Sequence, residues 1–143
     1  MKPGTAPSGS IDGRAFDAAS STADLNANGD LVISIADYVL SCLTLLPPDD
    51  ALASFPRKVL LLIEEERALP GVLRIEFPDV QEARANVNLY DAEGNGLSVV
   101  VRRGEIVIDA IDAASVRGSF SLLETSTDVS IAGSFDIPFC PPE

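Results

Sequence analysis

The chain has 143 residues, 46% of them hydrophobic and 22% charged, with a formal net charge of −12. That is enough chain for one domain with a buried core and too apolar for a disordered one, while the longest aliphatic run, residues 59–63, is too short to span a bilayer. Ten Lys and Arg against 22 Asp and Glu argue against nucleic acid or an anionic membrane as partner, and the absence of histidine removes the commonest general base, the usual zinc ligand and every His-dependent nucleophile triad.

Residues 1–10 are rich in Pro, Gly and Ser and read as a flexible tail before a single β domain spanning 11–143. Ile11 to Phe16 suggests a first strand with a bend at Gly13, and 17–26 a small-residue strand. The turn-forming run Asn26-Ala-Asn-Gly-Asp30 follows, and Leu31, Ile33 and Ile35 then alternate in a strand ending near Asp37. Residues 36–46 lack a period of two and suggest one or two helical turns stopped by Pro47 and Pro48. Asp49 and Asp50 suit the start of another brief helical turn through Ser54, so that a short helical segment is expected near 36–54.

Residues 58–64 are apolar on both faces, as in a central strand of a two-layer fold. Leu73, Ile75 and Phe77 form the inward face of the next strand, and Ala85, Val87 and Leu89 that of another, which the run 91–96 stops. Leu97, Val99 and Val101 face Ile106, Ile108 and Ala110 if Arg103-Gly104 is a two-residue turn, a pairing that also sets Arg102 opposite Glu105. Near the C-terminus one pattern occurs twice, Val-Arg-Gly-Ser-Phe-Ser-Leu at 116–122 and Ile-Ala-Gly-Ser-Phe-Asp-Ile at 131–137. These suggest a hairpin pairing Leu122 with Val129, Phe120 with Ile131, Gly118 with Gly133 and Val116 with Phe135, connected through 124–127. Strands of this length and spacing indicate an all-β fold, an antiparallel β-sandwich or flattened barrel of about eight to ten strands.

Cys42 and Cys140 have no metal-site spacing, which leaves a disulfide or two buried thiols, and the disulfide is the expectation. A disulfide places the protein in an oxidising compartment. Residues 1–10 contain no apolar signal core, so a mature chain from which an export signal has been removed is expected.

Asp24, Asn26, Asn28 and Asp30, with Gly29 between, have the oxygen spacing of the start of a calcium loop. The match stops there, because Ile35 stands where a bidentate carboxylate belongs, and a β-turn between two strands explains the alternation that follows. Asp91, Glu93 and Asn95 form a second oxygen-rich loop and Asp109 with Asp112 a third. The run Glu64-Glu65-Glu66 reads as a solvated strand end, and no cofactor other than a possible calcium ion is indicated.

Gly9-x-Ile11-x-Gly13-x-x-Phe16, Leu31-x-Ile33 running to Asp37 and Cys42, Pro70-Gly71, and the closing Gly-Ser-Phe-x-x-x-Phe-Cys140 together resemble uncharacterised small secreted or lipoprotein-type domains of Gram-negative bacteria. The resemblance implies export, an all-β fold and a paired Cys42 and Cys140, and it carries no catalytic residue. The functional expectation is a secreted or cell-surface structural or interaction module without catalysis. The alternatives are a calcium-assisted or carbohydrate-binding module using the acidic turns, or a subunit of an extracellular assembly joined through the tail or an edge strand.

Overall fold

Residues 7–42 and 46–140, which the computed structural model describes, form twelve strands. In chain order these are β1 (Ser8–Ile11), β2 (Arg14–Asp17), β3 (Ser20–Leu25), β4 (Leu31–Ala36), β5 (Arg57–Ile63), β6 (Gly71–Glu76), β7 (Val80–Gln81), β8 (Arg84–Tyr90), β9 (Gly96–Val101), β10 (Arg103–Ile111), β11 (Ser115–Glu124) and β12 (Val129–Pro138). They pair antiparallel into a seven-stranded sheet, ordered β2-β1-β12-β11-β10-β6-β7, and a five-stranded sheet, ordered β3-β4-β5-β8-β9. Both sheets are open, so the fold is a sandwich and not a closed barrel.

The alternation of apolar side chains explains the two layers. Val59, Leu61 and Ile63 of β5 face Ile106 and Ile108 of β10 and Phe120 of β11 within one core of buried residues. The other face of β4 and β5 is partly covered too: Ala36, Tyr38, Leu40 and Tyr90 make a smaller cluster with the half-buried Ala51, and the two tyrosine rings meet edge to face at 6.2 Å. The 3-10 turn Asp49–Ser54 realises the later half of the expected helical segment, but Asp37 to Ser41 is irregular. The remaining part of that expectation, 43–45, and residues 1–6 of the expected tail lie outside the described residues.

Several pairings differ from the sequence reading. Residues 11–16 are two strands of a hairpin and not one bent strand, because Asp12 (φ 53°) and Gly13 (φ 75°) form a two-residue turn with both central residues left-handed. The first sheet strand begins at Ser8, inside the segment expected as tail, since Ser8, Gly9 and Ser10 pair with β12 on one side and β2 on the other. The C-terminal hairpin keeps the expected inward face but is shifted by two residues: Phe120 pairs with Gly133, Gly118 with Phe135 and Leu122 with Ile131. The shift follows from the loop. Glu124 pairs with Val129, and the 3-10 turn Thr125–Thr127 closes on a left-handed Asp128. Each phenylalanine therefore lies opposite a glycine, and at Gly118 the Phe135 ring comes within 3.0 Å of where a Cβ atom would stand. At Gly118, beside the register shift in the β10–β11 pairing, a Cβ atom would collide with the Val107 carbonyl.

The expected β9–β10 hairpin does not exist. β9 pairs with β8 in one sheet and β10 pairs with β6 and β11 in the other, so the chain changes sheets at Arg102. That residue is fixed by a partner far away in sequence. Its backbone N–H and Nε donate to Glu124 Oε1 at 3.0 Å each, and its Nη2 donates to Glu124 Oε2 at 2.7 Å. The expected Arg102–Glu105 surface pair is thereby replaced by Arg102–Glu124.

The four sheet edges are treated differently. β2 is four residues long and carries charge at Arg14 and Asp17. At the opposite edge β7 has only two residues, and charged side chains surround it, with Arg74 paired to Glu76 and Arg67 to Glu82. β3 is covered by the end of the chain, where Ala23 bridges to Phe139 and the Cys140 N–H donates to the Ala23 carbonyl at 2.9 Å. Cys140 is joined in turn to Cys42 by a disulfide spanning 98 residues of sequence, with a Cα–Cα distance of 5.6 Å. β9 has no such device among the described residues. Its six residues are uncharged, and Leu97 (62% exposed) and Val100 (57%) project on opposite faces of the strand.

Candidate functional site

The acidic turns are one device used repeatedly. Asn26 Oδ1 accepts from the N–H groups of Asn28 and Asp30 (2.9 and 3.1 Å), and Asp91 Oδ1 accepts from those of Glu93 and Asn95 (2.9 Å each). In both, the fourth residue is a left-handed glycine, Gly29 (φ 84°) or Gly94 (φ 87°), whose N–H donates to the carbonyl of the first. Asn26-Ala-Asn-Gly-Asp30 and Asp91-Ala-Glu-Gly-Asn95 are thus the same five-residue turn, an internal repeat that matching by residue class, Asx-Ala-x-Gly-Asx, would have found. Asp112 Oδ1 closes a third turn by accepting from Ala114 and Ser115 at 2.7 and 3.0 Å. These amides hold the Asp91 and Asp112 carboxyls below the usual range, those of Asn95 and Ala114 most strongly.

Of the four residues with calcium-loop spacing, Asn26 is used as above, Asp24 Oδ1 accepts from the Leu25 N–H at 2.8 Å, and Asp30 Oδ1 accepts from the Glu65 N–H at 3.1 Å. Three of the four therefore have an oxygen committed to the main chain. No three acidic, cysteine or histidine side chains converge as a metal-holding group among the described residues.

The most perturbed carboxylate, Glu124, is 3% exposed. The Arg102 guanidinium, helped by the Ser126 hydroxyl and N–H, holds it far below the ordinary range. Both Glu124 oxygens accept hydrogen bonds from Arg102, and Oε2 also from Ser126, so this pair secures the crossing between sheets.

A different arrangement lies at the open end of the sandwich, where the β1–β2 turn, the start of β5 and the β8–β9 turn surround a cleft of about 360 Å³. Its walls combine Arg14 and Arg57 with the apolar surfaces of Phe55, Leu89 and Leu97, and Asp12 and Asp91 stand among the lining residues. The Arg14 guanidinium lies 5.2 Å from the centre of the Phe55 ring and donates to the Ser54 carbonyl.

Arg57 is the unusual member. It pairs with Leu89 at an inward register position of β5, continuing the series of Val59, Leu61 and Ile63, and is only 5% exposed. Among the described residues its guanidinium has no hydrogen bond or ion pair. Asp37, whose Oδ1 accepts from the Arg57 backbone N–H at 2.8 Å, and Asp12 attract the guanidinium without an ion-pair contact. Burial, with Arg14 nearby, lowers the Arg57 pKa, and burial raises that of Asp37.

No family model, curated protein or solved structure matches this chain. The likeness to small secreted β domains accordingly rests on the glycines, aromatics and cysteines named above, and the site must be read from its own geometry. Sequence reasoning missed Arg57 because the strand was started at Lys58, after Pro56. Extending the alternation of Val59 and Leu61 back by two residues places Arg57 on the inward face, the one signal that marks it.

Proposed function

We propose that the protein is a non-catalytic, extracytoplasmic interaction module that joins a second copy of itself along β9. The observation that carries this reading is the contrast among edges: three are short, charged or covered, while β9 offers six uncharged residues with apolar side chains exposed on both faces. An edge of that kind accepts another strand. A second copy fits by charge as well. In an antiparallel β9 pair, the acidic turn at 91–95 of one copy lies toward the end of β9 that runs into Arg102 and Arg103 in the other, whereas a parallel pair sets like charge against like.

The disulfide supports an oxidising compartment. No helix among the described residues is long and apolar enough to cross a membrane. A non-catalytic role is favoured by the absence of histidine and by the structural use of Glu124. Sedimentation of the full chain over a concentration series tests the reading. A reversible dimer is expected, lost in Val100→Lys and retained in Val39→Lys, whose site is also exposed but lies away from the edge. A monomer at all concentrations overturns it.

A further inference from the structure

Beyond the edge strand, we infer that the cleft at the open end of the sandwich is a binding site for a monocarboxylate carried on an apolar body, with Arg57 as its anchor. Buried charges are ordinarily paired or bound to an ion. Arg57 is 5% exposed and lines the cleft, yet its guanidinium makes no hydrogen bond or ion pair among the described residues, and Asp37 and Asp12 attract it only at a distance. Its planar fork of donors matches a carboxylate by two parallel hydrogen bonds.

The surroundings narrow the ligand further. Arg14 adds a second guanidinium, oriented by its stacking on Phe55 and by its bond to Ser54. Asp12 and Asp91 offset the two arginines, and the molecule as a whole carries −12. That balance disfavours polyanions and dianionic phosphate and tolerates a single negative charge. Exposed Phe55 and Leu97 offer apolar surface beside the cations, suited to an aromatic or aliphatic group bearing the carboxylate. The volume, about 360 Å³, suits a small molecule or the last residue or two of a peptide.

The test titrates the full chain with benzoate, benzamide and inorganic phosphate, following backbone and arginine side-chain NMR resonances together with the melting temperature. Benzoate is expected to shift Arg57, Arg14 and Leu97 saturably and to raise the melting temperature, with benzamide weaker by roughly tenfold or more because it lacks the charge that pairs with the fork. A short apolar peptide with a free carboxyl terminus, compared with its amide, separates a chain end from a free small molecule, and a charge-dependent response in either arm supports the site. Arg57→Met is expected to abolish the benzoate response without lowering the melting temperature of the unliganded protein, since the burial of its charge outweighs the attraction of Asp37 and Asp12. Arg57→Lys retains a weaker response. The inference is overturned if no carboxylate produces a saturable shift, if benzamide equals benzoate, or if Arg57→Met binds as well as the parent. Both arginine variants keep β9 and Val100→Lys keeps the cleft, so failure here and failure of the dimer are read separately.

Discussion

The two edges of the five-stranded sheet face the same physical problem and meet it in opposite ways. β3 exposes Leu25 near its end, but Phe139 and Cys140 lie along it and the disulfide to Cys42 fastens them there. β9, at the other edge, ends in the crossing at Arg102 and has neither a cover among the described residues nor a charge of its own. A strand with one free row of backbone donors and acceptors is a template for another strand. The difference teaches that this fold guards its edges selectively, which gives the open one its functional interest.

The largest expected effect comes from erasing the difference. In the chain-entropy model a cross-link spanning 98 residues contributes about 4 to 5 kcal/mol, so reduction, or Cys140→Ser, should lower the unfolding free energy by about that amount in a denaturant titration. It should also free the cover from β3. If the contrast between edges is real, the reduced protein forms larger assemblies than the oxidised one, because it now has two open edges; an unchanged oligomer size would break the comparison.

Next is the crossing that places β9 at an edge. Glu124→Gln replaces charge-assisted hydrogen bonds at a buried position and should cost about 2 to 3 kcal/mol. The sign with pH follows from the depressed carboxyl. Unfolded, Glu124 titrates near an ordinary value of about 4.3, and folded it titrates well below that. Its contribution is therefore complete above about pH 5 and is lost as the pH falls toward the folded value. The variant should show a shallower loss of melting temperature over that acid range.

Away from either edge, Gly118→Ala should cost about 1 to 3 kcal/mol, because the added methyl group meets the Val107 carbonyl and the Phe135 ring. It should leave self-association unchanged, which separates general loss of packing from an effect on the edge. The smallest change in stability is expected at β9 itself. Val100→Lys is a solvent-facing substitution and should stay within about 0.5 kcal/mol of the parent while preventing dimer formation.

The sequence by itself determined the all-β class, the inward faces of most strands and the turns at 26–30 and 91–95, though Phe77, expected to face inward, is half exposed. Alternation with a period of two selects the buried side chains, as at Val116, Phe120 and Leu122, and Asx and Gly residues suit the bends at 26–30 and 91–95. It also favoured a Cys42–Cys140 bridge over two thiols, and the structure has that bridge. Tertiary structure decided what a period of two cannot distinguish. A shift of two residues preserves every inward face, so the hairpin register depended on the turn at Thr125–Thr127 and on setting each phenylalanine against a glycine. Likewise, nothing local separates β9 from β10. Glu124, 22 residues from Arg102, draws the chain across to the other sheet and leaves β9 at an edge. Arg57 became notable only when the surrounding elements were in place, because a guanidinium beside a cleft with no hydrogen bond or ion pair among the described residues is a property of the assembled site and not of any segment of chain.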